Sequence, residues 1–155
     1  MSFADLPGSP LLGLLLRLLN QHWSQDVDAA LSAAGFGDIR PPHANVFALV
    51  PAEGIQVSEL AQLTRVRKQT MAEVIEQLEQ LDYVERRPDP QDGRARLVFL
   101  TARGRAVGPV GAAAGRRVEE HWARLSSPET IEVLRGSLQQ LIAALRDEDH
   151  PGSGA

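Results

Sequence analysis

Residues 83–101 constrain the fold more than any other stretch. Tyr83-Val84-Glu85-Arg86-Arg87 is short, β-prone and ends in two arginines. Pro88-Asp89-Pro90-Gln91-Asp92-Gly93 follows, with two prolines that fix φ and an Asp-Gly pair that favours a tight reversal. Leu97-Val98-Phe99-Leu100 then reads as a second strand. The stretch therefore predicts a β-hairpin with a basic tip, and Thr101 is placed to cap a following helix.

Upstream, Met71, Val74, Ile75, Leu78 and Leu81 recur at spacings of three and four, which predicts a helix over 68–81 with one apolar face. A shorter helix over 58–64, capped by Ser58, and a tight turn through Arg65 and Val66 precede it. Ile55-Gln56-Val57 is read as a short strand able to pair with the hairpin. Helix, turn, helix, basic hairpin is the order of a winged helix-turn-helix. Such a module sets its second helix in the major groove and its hairpin beside the backbone or in the minor groove.

A net charge of −4 argues against a nucleic-acid partner until its distribution is read. Residues 65–105 hold nine Arg/Lys against seven Asp/Glu, a local +2, and the rest of the chain carries −6. Lys68 is the sole lysine among sixteen basic residues. The absence of cysteine excludes disulfides, thiolate metal sites and thiol redox switches. The four histidines show no ligand spacing, and no metal is expected. No phosphate loop or nucleophile elbow is present, so neither a cofactor nor enzyme activity is expected. The leucine run from Leu11 to Leu19 is too short to span a bilayer and is broken by Arg17. These features predict a cytoplasmic protein with no membrane partner.

At 155 residues the chain is long enough for one domain with a proper core. Residues 1–9 are read as a loose arm and 150–155 as disordered. A long helix is expected over 10–34. Leu11, Leu15, Leu18 and His22 form one stripe on it, and Leu12, Leu16, Leu19 and Trp23 the next. That face is wider than a surface helix needs, so it either forms the domain core or meets another subunit. Ala34-Gly35-Phe36-Gly37-Asp38 breaks the helix, Pro41-Pro42 starts another, and Pro51-Ala52-Glu53-Gly54 closes that one. Ser127-Pro128-Glu129 starts a last helix, whose apolar face runs from Ile131 to Leu145.

The chain resembles the MarR family of bacterial transcription regulators. The resemblance rests on Ser58-Glu59-Leu60-Ala61, Lys68-Gln69-Thr70 and Glu85-Arg86-Arg87-Pro88-Asp89-Pro90. It then rests on the pattern Asp-x-Arg-Ala-x-x-Val-x-Leu-Thr-x-x-Gly over 92–104. It is densest over 57–104. It implies a mainly α fold with a small β-wing, in a single domain over 1–155. A winged helix-turn-helix lobe over 41–101 would be flanked by dimerisation helices over 10–34 and 103–147. One long helix is implied over 101–125, which Gly104, Gly108, Gly111, Gly115 and above all Pro109 should bend. Two departures stand out: Arg67 replaces a common Ser/Thr cap, and Asp82 replaces a helix-ending glycine.

The resemblance also implies a sequence-specific regulator. The expected form is a homodimeric repressor on double-stranded DNA, bound to a pseudopalindromic operator. Its half-sites would lie roughly 10 base pairs apart. On the recognition helix, Gln69, Ala72 and Glu73 are the candidate base readers, by adenine edge, thymine methyl and cytosine amino group. Glu76 and Gln80 are read as a solvated face. Arg67, Lys68 and Thr70 are candidates for phosphate contact. Arg94 is the candidate for minor-groove insertion, and the resemblance implies that Asp92 braces it by a charge-assisted pair of side chains. Arg86, Arg87 and Arg96 are candidates for backbone contact. Relatives release DNA when small phenolic or anionic ligands bind; His22, Trp23, Asp26 and His43 are the candidates here. For these four the competing reading is a core residue satisfied by a neighbour. A competing reading of the whole chain is a winged helix used for protein contact without DNA.

Overall fold

The computed structural model describes residues 11–149; the arm expected over 1–9 and the tail expected over 150–155 lie outside them. Six helices and one hairpin follow one another. Helix α1 is Leu12–Ala33, a 3₁₀ turn Pro41–His43 leads into α2 Ala44–Leu49, α3 is Val57–Thr64 and α4 is Lys68–Gln80. Strands β1 Val84–Pro88 and β2 Arg96–Leu100 come next, then α5 Ala102–Leu125 and α6 Pro128–Asp149. The chain gathers into two compact units whose boundary falls inside α5, between Ala114 and Gly115. Helix α5 runs unbroken through Pro109. Among the described residues no helix is long and apolar enough to cross a membrane.

Three helices of the first unit end in the same way. At α1, Phe36 N–H donates to Leu31 O at 2.8 Å and Gly35 N–H to Ser32 O at 3.1 Å, with Gly35 at φ 90°. At α3, Val66 N–H reaches Ala61 O at 3.1 Å and Arg65 N–H reaches Gln62 O at 3.2 Å. At α4, Tyr83 N–H reaches Leu78 O at 2.8 Å and Asp82 N–H reaches Glu79 O at 3.0 Å. Each pair is a Schellman closure, which needs one left-handed residue. Asp82 takes that conformation at φ 61°, as its short polar side chain permits. Arg65 takes it at φ 54°, so the turn of the helix-turn-helix is a helix stop forced on a non-glycine residue.

Two local expectations are corrected. Ser58 does not cap α3: the helix begins one residue earlier, Gln56 is its N-cap, and Glu59 Oε2 accepts the Gln56 N–H at 3.1 Å. The strand expected over 55–57 shrinks to one antiparallel bridge, Ile55 with Val98, because Val57 is already helical. That bridge has both hydrogen bonds, 3.1 and 2.8 Å, and ties the start of α3 to the hairpin.

The hairpin pairs Val84 with Leu100, Arg86 with Val98 and Pro88 with Arg96. Its inner face joins the core, where Leu60, Ile75, Leu78, Tyr83, Val84, Val98 and Val46 are fully buried. Burying such an aliphatic side chain contributes about 1.5–3 kcal/mol. Thr101 caps α5 as expected, its Oγ1 accepting the Gly104 N–H at 3.1 Å while donating to Asp82 O at 2.6 Å. A Cβ at Gly104 would run into the Tyr83 carbonyl oxygen, so only glycine lets α5 lie against the α4–β1 junction. Ser127 caps α6 through the Thr130 N–H at 3.1 Å.

Candidate nucleic-acid interface

Helix α4 buries Met71, Val74, Ile75 and Leu78 and turns its other face outward. Lys68, Gln69, Thr70, Glu73, Glu76 and Gln80 are exposed there, and Ala72 is half-buried at the edge. The first turn of α4 has no side-chain cap, since its N-cap is Arg67. Its free N–H groups and positive end therefore favour a phosphate oxygen. Arg67, Lys68 and Thr70 stand at that end, while Gln69, Ala72 and Glu73 follow on the outward face.

The arginines of the hairpin divide into two groups. Along its strands they are tied down. Arg86 Nε lies 3.4 Å from Glu79 Oε2 but without the alignment of a hydrogen bond, and Arg87 pairs with Glu85. The Arg87 guanidinium also stacks 4.8 Å from the centre of the Phe99 ring. Arg96 donates to the Arg86 carbonyl at 3.2 Å. At the tip, Arg94 is exposed and its guanidinium has no ion pair among the described residues.

Among the described residues the expected side-chain pair of Asp92 with Arg94 does not form, and Asp92 turns to the backbone instead. Its Oδ1 accepts the backbone N–H of Arg94 at 3.0 Å, inside a turn closed by Ala95 N–H to Asp92 O at 3.0 Å. A carboxylate two residues upstream reaches that N–H at little entropic cost, whereas an exposed guanidinium pair gains little in water. Asp92 thus sets the backbone and leaves the Arg94 side chain uncommitted.

The residues proposed for a ligand do not come together. His43 is buried, and both ring nitrogens are occupied: Nδ1 accepts the Arg40 N–H at 3.0 Å, so Nε2 carries the proton and faces Gln77 Oε1 at 3.0 Å. It is a satisfied core histidine. His22 and Asp26 are exposed on another face of α1. Trp23 alone lines a cleft of about 700 Å³, with Asn20, Asp28, Arg40, Phe47 and Gly108 among its other walls. The arc Asn20, Trp23, Ser24, Val27, Asp28, Leu31 has helical spacing and was readable in the sequence. Arg40 was not, since it lies in an irregular segment.

A second polar cluster has no local signature in the sequence. The buried Tyr83 hydroxyl donates to Asp38 Oδ1, and Arg103 donates to Asp38 Oδ2 at 3.0 Å and to Leu81 O at 2.6 Å. The Arg103 guanidinium lies 4.3 Å from the centre of the Tyr83 ring. Burial first, then the bond to Asp38, pushes the Tyr83 pKa up to about 12. The Tyr83 hydrogen bond, with Arg103 beside it, holds the Asp38 carboxyl below its ordinary value. Among the described residues no group of His, Cys, Asp or Glu is placed to hold a metal ion.

A helix-turn-helix with an outward polar second helix, followed by a hairpin with a cationic tip, defines a winged helix of the DNA-reading class. Comparison with known proteins narrows this class. A profile described as MarR family matches residues 38–95. The transcriptional regulator HosA of Escherichia coli is 33% identical over 105 residues, covering 68% of this chain and 78% of its own length. The HTH-type transcriptional repressor Rv2887 of Mycobacterium tuberculosis is 33% identical over 125 residues, covering 80% and 88%. The crystal structure of Rv2887 in complex with salicylic acid superposes with a TM-score of 0.63 at 28% identity, covering 88% of this chain and 99% of that one. The chain belongs to the MarR family of transcription regulators.

Proposed function

We propose that this chain is a homodimeric repressor that binds a pseudopalindromic operator and lets go when an aromatic carboxylate occupies the cleft beside Trp23. The observation that carries the reading is the wing tip. Arg94 is the exposed, unpaired cation of a hairpin whose other arginines are tied to the protein, and Asp92 fixes the backbone that presents it. A narrow minor groove concentrates negative potential and takes such a side chain. Gln69, Ala72 and Glu73 read base edges from α4, and Arg67, Lys68 and Thr70 hold phosphates. Arg86, Arg87 and Arg96 act first as struts of the wing, with the backbone within their reach.

Apolar faces support the dimer. Leu12 on α1 is 60% exposed, and Leu141, Ile142 and Leu145 on α6 are each about half exposed. Leucines at that exposure, repeated along a face, fit a second copy better than water. The cleft supports the ligand. Trp23 and Phe47 offer aromatic walls, and the Arg40 guanidinium has no ion pair among the described residues. Salicylic acid bound to Rv2887 has the same chemistry, an aromatic ring with a carboxylate. The protein acts in the cytoplasm, by occupancy of DNA rather than by catalysis.

The reading is tested by passing fragmented genomic DNA over the purified protein. Retained fragments should share an inverted repeat whose halves lie roughly 10 base pairs apart. Retention without a shared sequence, or none at all, would leave the wing to a protein partner.

A further inference from the structure

The cleft and the DNA-reading elements are joined by one short segment, residues 38–43. Its middle, Ile39, Arg40 and Pro41, lines the cleft. Its two ends are hydrogen-bonded elsewhere. Asp38 accepts from Tyr83 and Arg103, at the root of the wing. His43 faces Gln77 on the recognition helix at 3.0 Å. Resting on the reading of the cleft and α4 given above, we propose that this segment is the link through which cleft and recognition helix sense each other, with His43 and Asp38 as its positioning residues.

Its chemistry favours transmission over absorption. His43 is 2% exposed, so its ring has no water to fall back on if a partner moves away. Nδ1 is held by the backbone N–H of Arg40, a cleft residue, and Nε2–H is held by Gln77 Oε1. The ring is thus a rigid spacer with one end on the cleft and the other on α4. Pro41 and Pro42 fix φ between the cleft and the ring, which removes two joints that would take up a displacement. At the other end the Asp38 carboxylate is held at both oxygens. A group that presses on Arg40 therefore moves the anchor of Gln77.

Coupling between two sites is reciprocal, so the link is testable without any ligand. DNA binding at α4 must register at the Arg40 amide, which donates to His43. We would measure hydrogen exchange of that amide by NMR in the full chain, free and bound to the duplex recovered from the genomic selection. Duplex binding should slow it about fivefold or more in the wild type. Gln77 is exposed on α4, outside the base-reading and phosphate-holding set, so Gln77→Ala should fold and bind the duplex. In Gln77→Ala the slowing should vanish, and in Gln77→Glu, which keeps an acceptor for His43, it should return. Slowing that persists in Gln77→Ala, or no slowing in the duplex-bound wild type, overturns the link. Anisotropy on the same samples shows separately whether duplex is bound; if the wild type binds none, the DNA reading falls and the link falls with it.

Discussion

Tyr83 is where the polar contacts of the DNA-reading unit converge. Its hydroxyl holds Asp38, its ring carries Arg103, and Phe36 and Phe47 pack against it at 6.2 and 5.3 Å between ring centres. Its pKa is raised from 10.0 to about 12 on folding. A raised acid favours the folded state fully below its unfolded pKa and loses that contribution as pH climbs through the folded one. The contribution of Tyr83 is therefore lost between pH 10.0 and about 12. Asp38 runs the other way: its pKa is lowered, so its contribution is present at neutral pH and lost on acidification. Tyr83→Phe should be less stable by about 1–2 kcal/mol at pH 7, with a flatter decline above pH 10. Urea melts at pH 7 and pH 11 check this; an equal deficit at both pH values contradicts it. None of this was legible in the sequence. Asp38 and Arg103 lie 45 and 20 residues from Tyr83, and no local pattern links them. The same holds for His43, whose partner Gln77 is 34 residues away.

Elements were more legible than contacts, because periodicity and turn chemistry are local. Met71, Val74, Ile75 and Leu78 set α4 by spacing alone, and Pro88 to Gly93 set the hairpin. At the start of α3 two capping signals overlap in the sequence. Ser58 is the better cap by residue type, yet Glu59 sits three residues after Gln56 and closes on its N–H. The junction of the hairpin with α5 shows what a spaced motif encodes. In Leu100-Thr101-Ala102-Arg103-Gly104, threonine caps the helix, arginine reaches Asp38, and glycine clears the Tyr83 carbonyl. Gly104→Ala should cost roughly 2–4 kcal/mol, since backbone and not a flexible side chain blocks the added methyl. Thermal unfolding checks it; a melting temperature within a degree or so of wild type contradicts it.

At the scale of the whole molecule, charge and apolar surface are both set out by partner. The DNA-reading segment 65–105 carries +2 within a chain of net −4. Apolar side chains left exposed fall mainly on the terminal helices: Leu12, Leu16 and Leu19 on α1, and Val133, Leu141, Ile142 and Leu145 on α6. The wide stripe of α1 was visible in the sequence, but whether it faced a core or a second subunit was not, since both need the same residues. A dimer predicts that Ile142→Glu, a charge placed in a dry interface, turns the protein monomeric in sedimentation at micromolar concentration while its helix content persists. An unchanged dimer would remove α6 from the interface.

A grip on the operator by the wing tip and α4 together has a direct signature in binding. Fluorescence anisotropy over a salt series, with wild type and Arg94→Ala on the selected duplex and on a scrambled one, tests it most directly. The wild type should prefer the selected duplex, weaken steeply with salt, and lose about tenfold or more in affinity when Arg94 is removed. Equal affinity of wild type and Arg94→Ala for the selected duplex, across the salt range, would contradict it.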